Sequence, residues 1–223
     1  MRIPMLIGLG IALASVGTFG TSQENWRLQR DQENIRIYTR PSADSRVTWI
    51  RTVTTLDDTP INAAVALLQD TPAMEQWTAR CEDAYVYRKL KDDTTLTYTR
   101  TDFPLLYADR WMLSRSSWRR GTESGELVFT SEATDRAFEP EQDGVRITDS
   151  RIEWHLIPLD DGELQVSYTG YADPGIDLPQ WLVENLAIDA PFESMVNFRE
   201  MLNEPGYRDS ELDLTIPGHY GEK

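Results

Sequence analysis

The sequence predicts an α+β fold: a curved antiparallel sheet around one long C-terminal helix, with an apolar cavity between them. Three observations lead there. From Ile35 onward most of the chain alternates in short strand-like runs separated by turn residues. The connections are too short to be parallel crossovers, so the strands are antiparallel. After Asp173-Pro174-Gly175 the pattern turns helical and stays so from about Leu178 to Leu202. The apolar positions of that helix, among them Leu178, Trp181, Leu182, Leu186, Ile188, Phe192, Met195, Phe198 and Leu202, are too widely spread for one narrow stripe. Such a helix needs a large partner surface.

Ile35–Arg40 and Arg46–Thr55 read as strands joined by Pro41-Ser42-Ala43-Asp44. Thr59-Pro60 reads as an N-cap with proline at the first helical position, ahead of Ile61, Val65 and Leu68 at helical spacing. Thr71-Pro72 opens a second short helix ending near Trp77. A strand follows from Cys81, with Ala84, Val86, Arg88 and Leu90 on one face, then a turn at Lys91-Asp92-Asp93. The next strand carries Leu96, Tyr98 and Arg100 on one face and breaks at Phe103-Pro104. Trp111–Trp118 and Leu127–Ala133 are strands around a Gly121–Gly125 turn. Glu139–Gly144 is a polar connection. Val145–Ile157 and Leu164–Tyr171 are long strands around Asp160-Asp161-Gly162. Pro-Gly at 174–175 fixes a tight reversal into the final helix. Pro191 is expected to kink or divide that helix and to push Ala190 out of the helical region.

Composition narrows the function. The 223 residues carry 22 Lys+Arg against 37 Asp+Glu, a formal charge of −15. That balance argues against nucleic acid as a partner and against electrostatic docking on anionic lipid. Met1-Arg2, the uncharged run Met5–Phe19 and the small residues of Thr18-Phe19-Gly20 match a secretory signal peptide over residues 1–20, with an uncleaved anchor as the alternative. The expected domain is then 21–205, with a tail at 206–223. Cys81 is the single cysteine, so no intramolecular disulfide forms. A cysteine-poor exported protein fits a Gram-negative periplasm.

Catalytic signals are thin. The two histidines, His155 and His219, are far apart, and no metal cluster, phosphate loop or nucleophile elbow stands out. Cys81 with His155 has no supporting spacing. Arg88 and Arg100 draw more attention, since each shares a strand face with apolar neighbours. A charge on such a face needs a partner, with Asp109, Asp149 or Glu153 as candidates, unless the face looks to solvent. The many aromatics, Trp49, Trp77, Trp111, Trp118, Trp154, Trp181, Tyr98, Tyr168 and Phe192 among them, are core or cavity wall.

Three segments carry a family resemblance. They are Trp77–Cys81 with Tyr85-Val86-Tyr87-Arg88, then Tyr98-Thr99-Arg100-Thr101-Asp102-Phe103-Pro104 leading to Asp109-Arg110-Trp111, and lastly Asp173-Pro174-Gly175 with Leu178-Pro179-Gln180-Trp181-Leu182 and Asn185. Together they resemble the START domain, the steroidogenic-acute-regulatory-protein-related lipid transfer domain, over about Trp26–Leu202. Trp111 stands where that family usually has Asp, and Ile176 where a second Gly is common. The first departure leaves Arg110 without its usual partner unless Asp109 replaces it. The resemblance implies a helix-grip fold, often of nine strands, in the START/Bet v 1-like group. It also implies an internal ligand of the sterol or phospholipid class, no catalysis and no cofactor. Arg88 and Asp109 would then anchor a head group. Tyr98, Arg100, Trp118, Trp154 and Tyr168 would line the wall, and Phe192 and Met195 would roof it. The expected partners are a lipid and, transiently, a membrane, with the protein a monomer. The rival readings are a helix-grip enzyme, a cyclase or hydrolase using His155 and Glu153, and an empty structural or partner-binding module.

Overall fold

The computed structural model describes residues 25–42, 47–90, 94–104, 107–136 and 143–212. The expected signal segment 1–20, the Lys91–Asp93 turn and His219 lie outside these. Ten strands among the described residues form one curved sheet. They are β1 (Arg27–Gln32), β2 (Ile35–Pro41), β3 (Thr48–Leu56), β4 (Cys81–Lys89), β5 (Thr95–Thr101), β6 (Arg110–Arg120), β7 (Leu127–Ala133), β8 (Val145–Ile147), β9 (Ser150–Pro158) and β10 (Leu164–Ala172). The spatial order is β1-β2-β3-β10-β9-β7-β6-β5-β4, all antiparallel, with β8 added parallel to the start of β6. Helices α1 (Ile61–Gln69) and α2 (Met74–Trp77) follow β3. The C-terminal helix is α3 (Gln180–Glu184), a wide turn with π geometry at Asn185–Asp189, and α4 (Ala190–Met201); α5 (Pro205–Arg208) comes last.

Several expectations are corrected. β1 reads Arg-Leu-Gln-Arg-Asp-Gln and is mostly exposed, so it gives no apolar alternation; it forms because Glu33 and Asn34 both take positive φ (53° and 59°) in a two-residue hairpin turn onto β2. The strand expected from Val145 to Ile157 is two, β8 and β9, and β8 runs parallel to its neighbour. Pro60, not Thr59, occupies the N-cap position of α1, with extended backbone, and the Thr59 hydroxyl turns back to the Asp57 carbonyl. The final helix is not divided at Pro191. Ala190 stays helical at φ −63°, ψ −43°, and the wide turn just before the proline absorbs its missing N–H. The same turn accounts for a five-residue step between buried Leu182 and buried Ala187 before the spacing tightens at Met195, Phe198 and Met201. Part of the expected tail also packs: the Tyr207 hydroxyl donates to Asp70 (2.8 Å) and Arg208 pairs with Asp58 (2.7 Å).

The core lies between the helices and the β2-β3-β10-β9 part of the sheet. Ile35, Ile37, Leu156, Leu164 and Val166 meet Met195, Phe198, Met201 and the Ala63–Leu68 face of α1 there. Phe198 stands against Trp77 (5.3 Å between ring centres) and Trp154 (5.2 Å). Among the described residues no helix is long and apolar enough to cross a membrane.

Candidate functional site

A cavity of about 500 Å³ opens where this core stops, over the inner face of β4, β5 and β6. Its position follows from side-chain size. Along β5 every second residue is threonine, Thr95, Thr97, Thr99 and Thr101, and all four look inward. They pair across to Ser116, Ser114, Met112 and Arg110 of β6. Ser116 continues to Ser131 of β7, with their hydroxyls 3.2 Å apart. A sheet face built of small hydroxyl residues does not reach the helices, and space remains. The opposite side of the cavity is apolar: Leu68, Met74 and Trp77 from the α1–α2 region, Trp118, Phe129 and Trp154 from the sheet.

One cross-strand row bounds the cavity. Trp118, Phe129, Trp154 and Tyr168 are paired in register across β6, β7, β9 and β10, and the row continues to Thr52 and Ile37. Trp118 and Phe129 stand 5.0 Å apart, Trp154 and Tyr168 5.2 Å. Trp118 and Trp154 lie in the cavity wall. Tyr168 lies one strand further on, packed against the core, where burial pushes its phenol up to about 12.

The other predicted site residues are elsewhere. Arg88 is exposed and sits over the Tyr87 ring, away from the cavity. The reason is an irregularity in β4: Val86 pairs with Thr97 and Lys89 with Thr95, both inward, while Arg88 pairs with outward Leu96. One extra residue reverses the phase. Tyr98 and Arg100 share the outward face of β5 with Leu96. Tyr98, 1 % exposed, is stacked between Tyr85 (4.8 Å) and Trp111 (6.2 Å). Arg100 is paired with Asp109 (2.5 Å) and Glu82 (2.8 Å), and Asp109 also accepts from the Phe103 N–H. Tyr98, Arg100 and Asp109 belong to a packed layer on the convex side, not to the wall. Met195 is in the core, and Phe192 lies under Arg30 (4.8 Å), so neither roofs the cavity.

His155 and Glu153 also sit on the convex side, opposite in phase to Trp154. His155 Nδ1 meets Glu126 Oε1 at 2.6 Å and Nε2 is 3.7 Å from Glu153. Burial pushes the Glu126 carboxyl up, but His155 and the N–H groups of Glu123 and Thr122 outweigh it and hold it below the usual range. Gly121 leaves room for that carboxylate: a Cβ there would lie 1.9 Å from Glu126 Oε2. The group fixes the β6–β7 turn. Cys81 lines the cavity, on the other face of the sheet from His155, and burial pushes its thiol up to about 11. Among the described residues no group of His, Cys, Asp and Glu could hold a metal ion.

Arg110 receives a clear role. It is 2 % exposed, donates through Nε and Nη2 to the Pro174 carbonyl (both 3.3 Å) and through Nη1 to the Ala108 carbonyl, and stacks on Phe103 (4.3 Å). Asp109 is taken by Arg100. Arg110 therefore ties the start of β6 to the Asp173-Pro174-Gly175 turn, where Gly175 has φ 77° and its N–H is held by the Asp173 carboxylate (2.8 Å).

A curved antiparallel sheet closed by a C-terminal helix over an internal cavity defines the helix-grip class. Within it the chain belongs to the START domain family, whose model matches residues 13–207. It is 25% identical over 191 residues to an uncharacterized protein of Pseudomonas aeruginosa, covering 85% of this chain and 93% of that one. Its fold is similar to a STAR-related lipid transfer protein from Xanthomonas axonopodis, with TM-score 0.70 and 23% identity over 79% of this chain and 98% of that one. It is also similar to human StAR-related lipid transfer protein 5, with TM-score 0.68 and 15% identity over 82% and 88%.

The threonine and serine residues of the wall, Thr78 included, escaped the sequence reading. The signal was present: Thr95, Thr97, Thr99 and Thr101 alternate perfectly. The bulky alternate set Leu96, Tyr98, Arg100 looked more like a functional face, because it too is buried.

Proposed function

We propose that this protein binds one hydrophobic lipid in the cavity and carries it without chemical change. The observation that carries this reading is the 500 Å³ space with one apolar and one hydroxyl wall, within the range of about 300–1,000 Å³ for small-molecule sites. Membership of the START family and the lipid transfer proteins of like fold support it. Covering the apolar part of a lipid stabilises it by about 25 cal/mol per Å² removed from water. The ligand is of the sterol or phospholipid class.

Catalysis on a hydrophobic substrate is the less supported reading. Among the described residues the lining contains no Asp, Glu or His, and the His155–Glu153 pair faces away. The uncharged Met5–Phe19 run supports an exported, periplasmic protein. Native mass spectrometry of protein purified from its own host tests the proposal. An adduct of one lipid mass is expected. A cavity that stays empty, and takes up no added sterol or lipid, overturns it.

A further inference from the structure

The last helix covers the filled part of the sheet, not the cavity. Among the described residues the helical side of the cavity runs from Leu68 to Thr78, and α3, the wide turn and α4 contribute no lining residue. Two of the described lining residues are exposed, Gln69 at the end of α1 and Lys89 at the end of β4. After Gln69 and Asp70 the chain enters a single 3₁₀ turn, Thr71–Ala73, which packs along β4 at one edge of the sheet. A closed cavity opens most readily where the least apolar surface has to move. Swinging out α4 would strip Met195, Phe198 and Met201 from the core. Moving the 3₁₀ turn uncovers only the small side chains of Thr71 and Ala73, since Pro72 is already exposed.

The turn also has a joint. Asp70 stands between it and α1 with φ −81° and ψ 79°, close to an inverse γ-turn, and its side chain makes no capping bond. A short 3₁₀ stretch beside such a residue is where a helical segment hinges. The other end is fixed: Trp77 is held edge-on by Trp154 (5.7 Å) and Phe198 (5.3 Å), and the Ala79 N–H donates to Ser194 of α4 (2.9 Å). One contact closes the joint. The Tyr207 hydroxyl of α5 donates to Asp70 Oδ2 (2.8 Å), while its ring packs against the core. Burial and then this bond push the phenol up to about 12, so it remains a donor at neutral pH. Arg208 pairs with Asp58 (2.7 Å) ahead of α1, so α5 is held independently of the turn.

Resting on the lipid-binding reading above, we propose that the ligand passes at the β4 edge, that the Thr71–Ala73 turn is the gate, and that Tyr207 is the latch that holds it closed through Asp70.

The test uses the full chain and pyrene, whose uptake and release are followed in stopped flow by energy transfer from the tryptophans of the wall. Tyr207→Phe keeps the ring and removes the hydroxyl; Asp70→Ala removes the acceptor. Each should speed both uptake and release by about 3–10-fold, the scale of one hydrogen bond, and leave Kd unchanged, because a gate alters the path and not the site. The double variant should be no faster than the faster single one. Asp189→Ala, which frees the wide turn of the last helix from Arg30 (2.7 Å), should change neither rate. Rates unaltered in both Tyr207→Phe and Asp70→Ala overturn the proposal. So does acceleration in Asp189→Ala alone, which would put the passage beneath the last helix, or a raised Kd with unchanged uptake, which would make Tyr207 part of the site. In each of these cases pyrene still binds and the lipid-binding reading stands. If the unaltered protein takes up neither pyrene nor added sterol, that reading falls and the gate with it.

Discussion

The two halves of the sheet are built from similar strands and end in opposite conditions. Under α1 and α4, β2, β3, β10 and β9 present Ile35, Ile37, Leu156, Leu164 and Val166, and the space is filled. Beyond the Trp118–Phe129–Trp154–Tyr168 row, β4, β5 and β6 present threonine and serine, and the space is open. The convex side reverses the pattern. Behind the open half lie Leu96, Tyr98, Trp111 and Leu113, nearly all covered, with Arg146 over Trp111 (4.9 Å). The open half thus takes its packing from outside and keeps its inside free. An internal cavity does not require a weak sheet; it requires that the sheet's packing be moved to the other face.

The largest expected effect comes from breaking the filled half. Phe198→Ala removes a fully buried ring that joins Trp77 and Trp154, and should cost about 3–5 kcal/mol in chemical denaturation. A loss below 1 kcal/mol would mean that the core extends less far than described. The opposite sign is expected at Thr54, buried in the filled half with an unpaired hydroxyl. Thr54→Val should leave stability unchanged or raise it by about 1 kcal/mol. A clear loss would show that the hydroxyl has a partner.

In the open half, Ser114→Leu adds apolar volume to a space that has room for it. Stability should change by less than about 1 kcal/mol while occupancy by the co-purified lipid falls. A loss of several kcal/mol would mean the wall is closely packed after all.

The smallest effect concerns acid. The hydrogen bond from Arg100, followed by that from the Phe103 N–H, holds the Asp109 carboxyl below its usual range; Glu126 is held low as described. A depressed folded-state pKa gives stability that is present above the unfolded value, about 4 for these groups, and lost as pH falls through the folded value. Asp109 lies behind the open half, whereas Glu126 holds the β6–β7 turn against His155 of β9. On acidification, amide exchange should therefore rise in β5 and β6 before β2 and β3. Asp109→Asn should flatten that difference, and simultaneous loosening of both halves would contradict it.

Much of the fold was legible because its signals are local. The Asp173-Pro174-Gly175 turn, the tight links and the broad apolar face of the last helix each follow from a few adjacent residues. The site was less legible because strand phase is not local. Arg88 shares sequence parity with Val86, yet one irregular residue in β4 turns it outward. Tyr98 and Arg100 sit in a buried, aromatic environment, as a cavity wall would, but on the face that pairing with Tyr85 and Trp111 assigns to the outside. Trp118 and Trp154 could be placed in the wall because their strands run without interruption. Arg110, with no neighbouring carboxylate free for it, was readable only once the chain brought Pro174 to it, 64 positions away.

The wide turn at Asn185–Asp189 has a consequence for how this helix tolerates change in length. It is in effect one residue inserted into an α-helix, and each residue advances the helix by about 100°. Deleting a single residue there would restore ordinary winding and keep Trp181 and Leu182 in phase with Met195 and Phe198, because the extra residue is taken up within the turn. Exposed Trp181 would stay outside and buried Leu182 inside. A shortening by one should therefore be better tolerated in this turn than on either side of it, where it would rotate the two segments by about 100°, and its remaining cost would be the Pro191 ring in an unbroken α-helix.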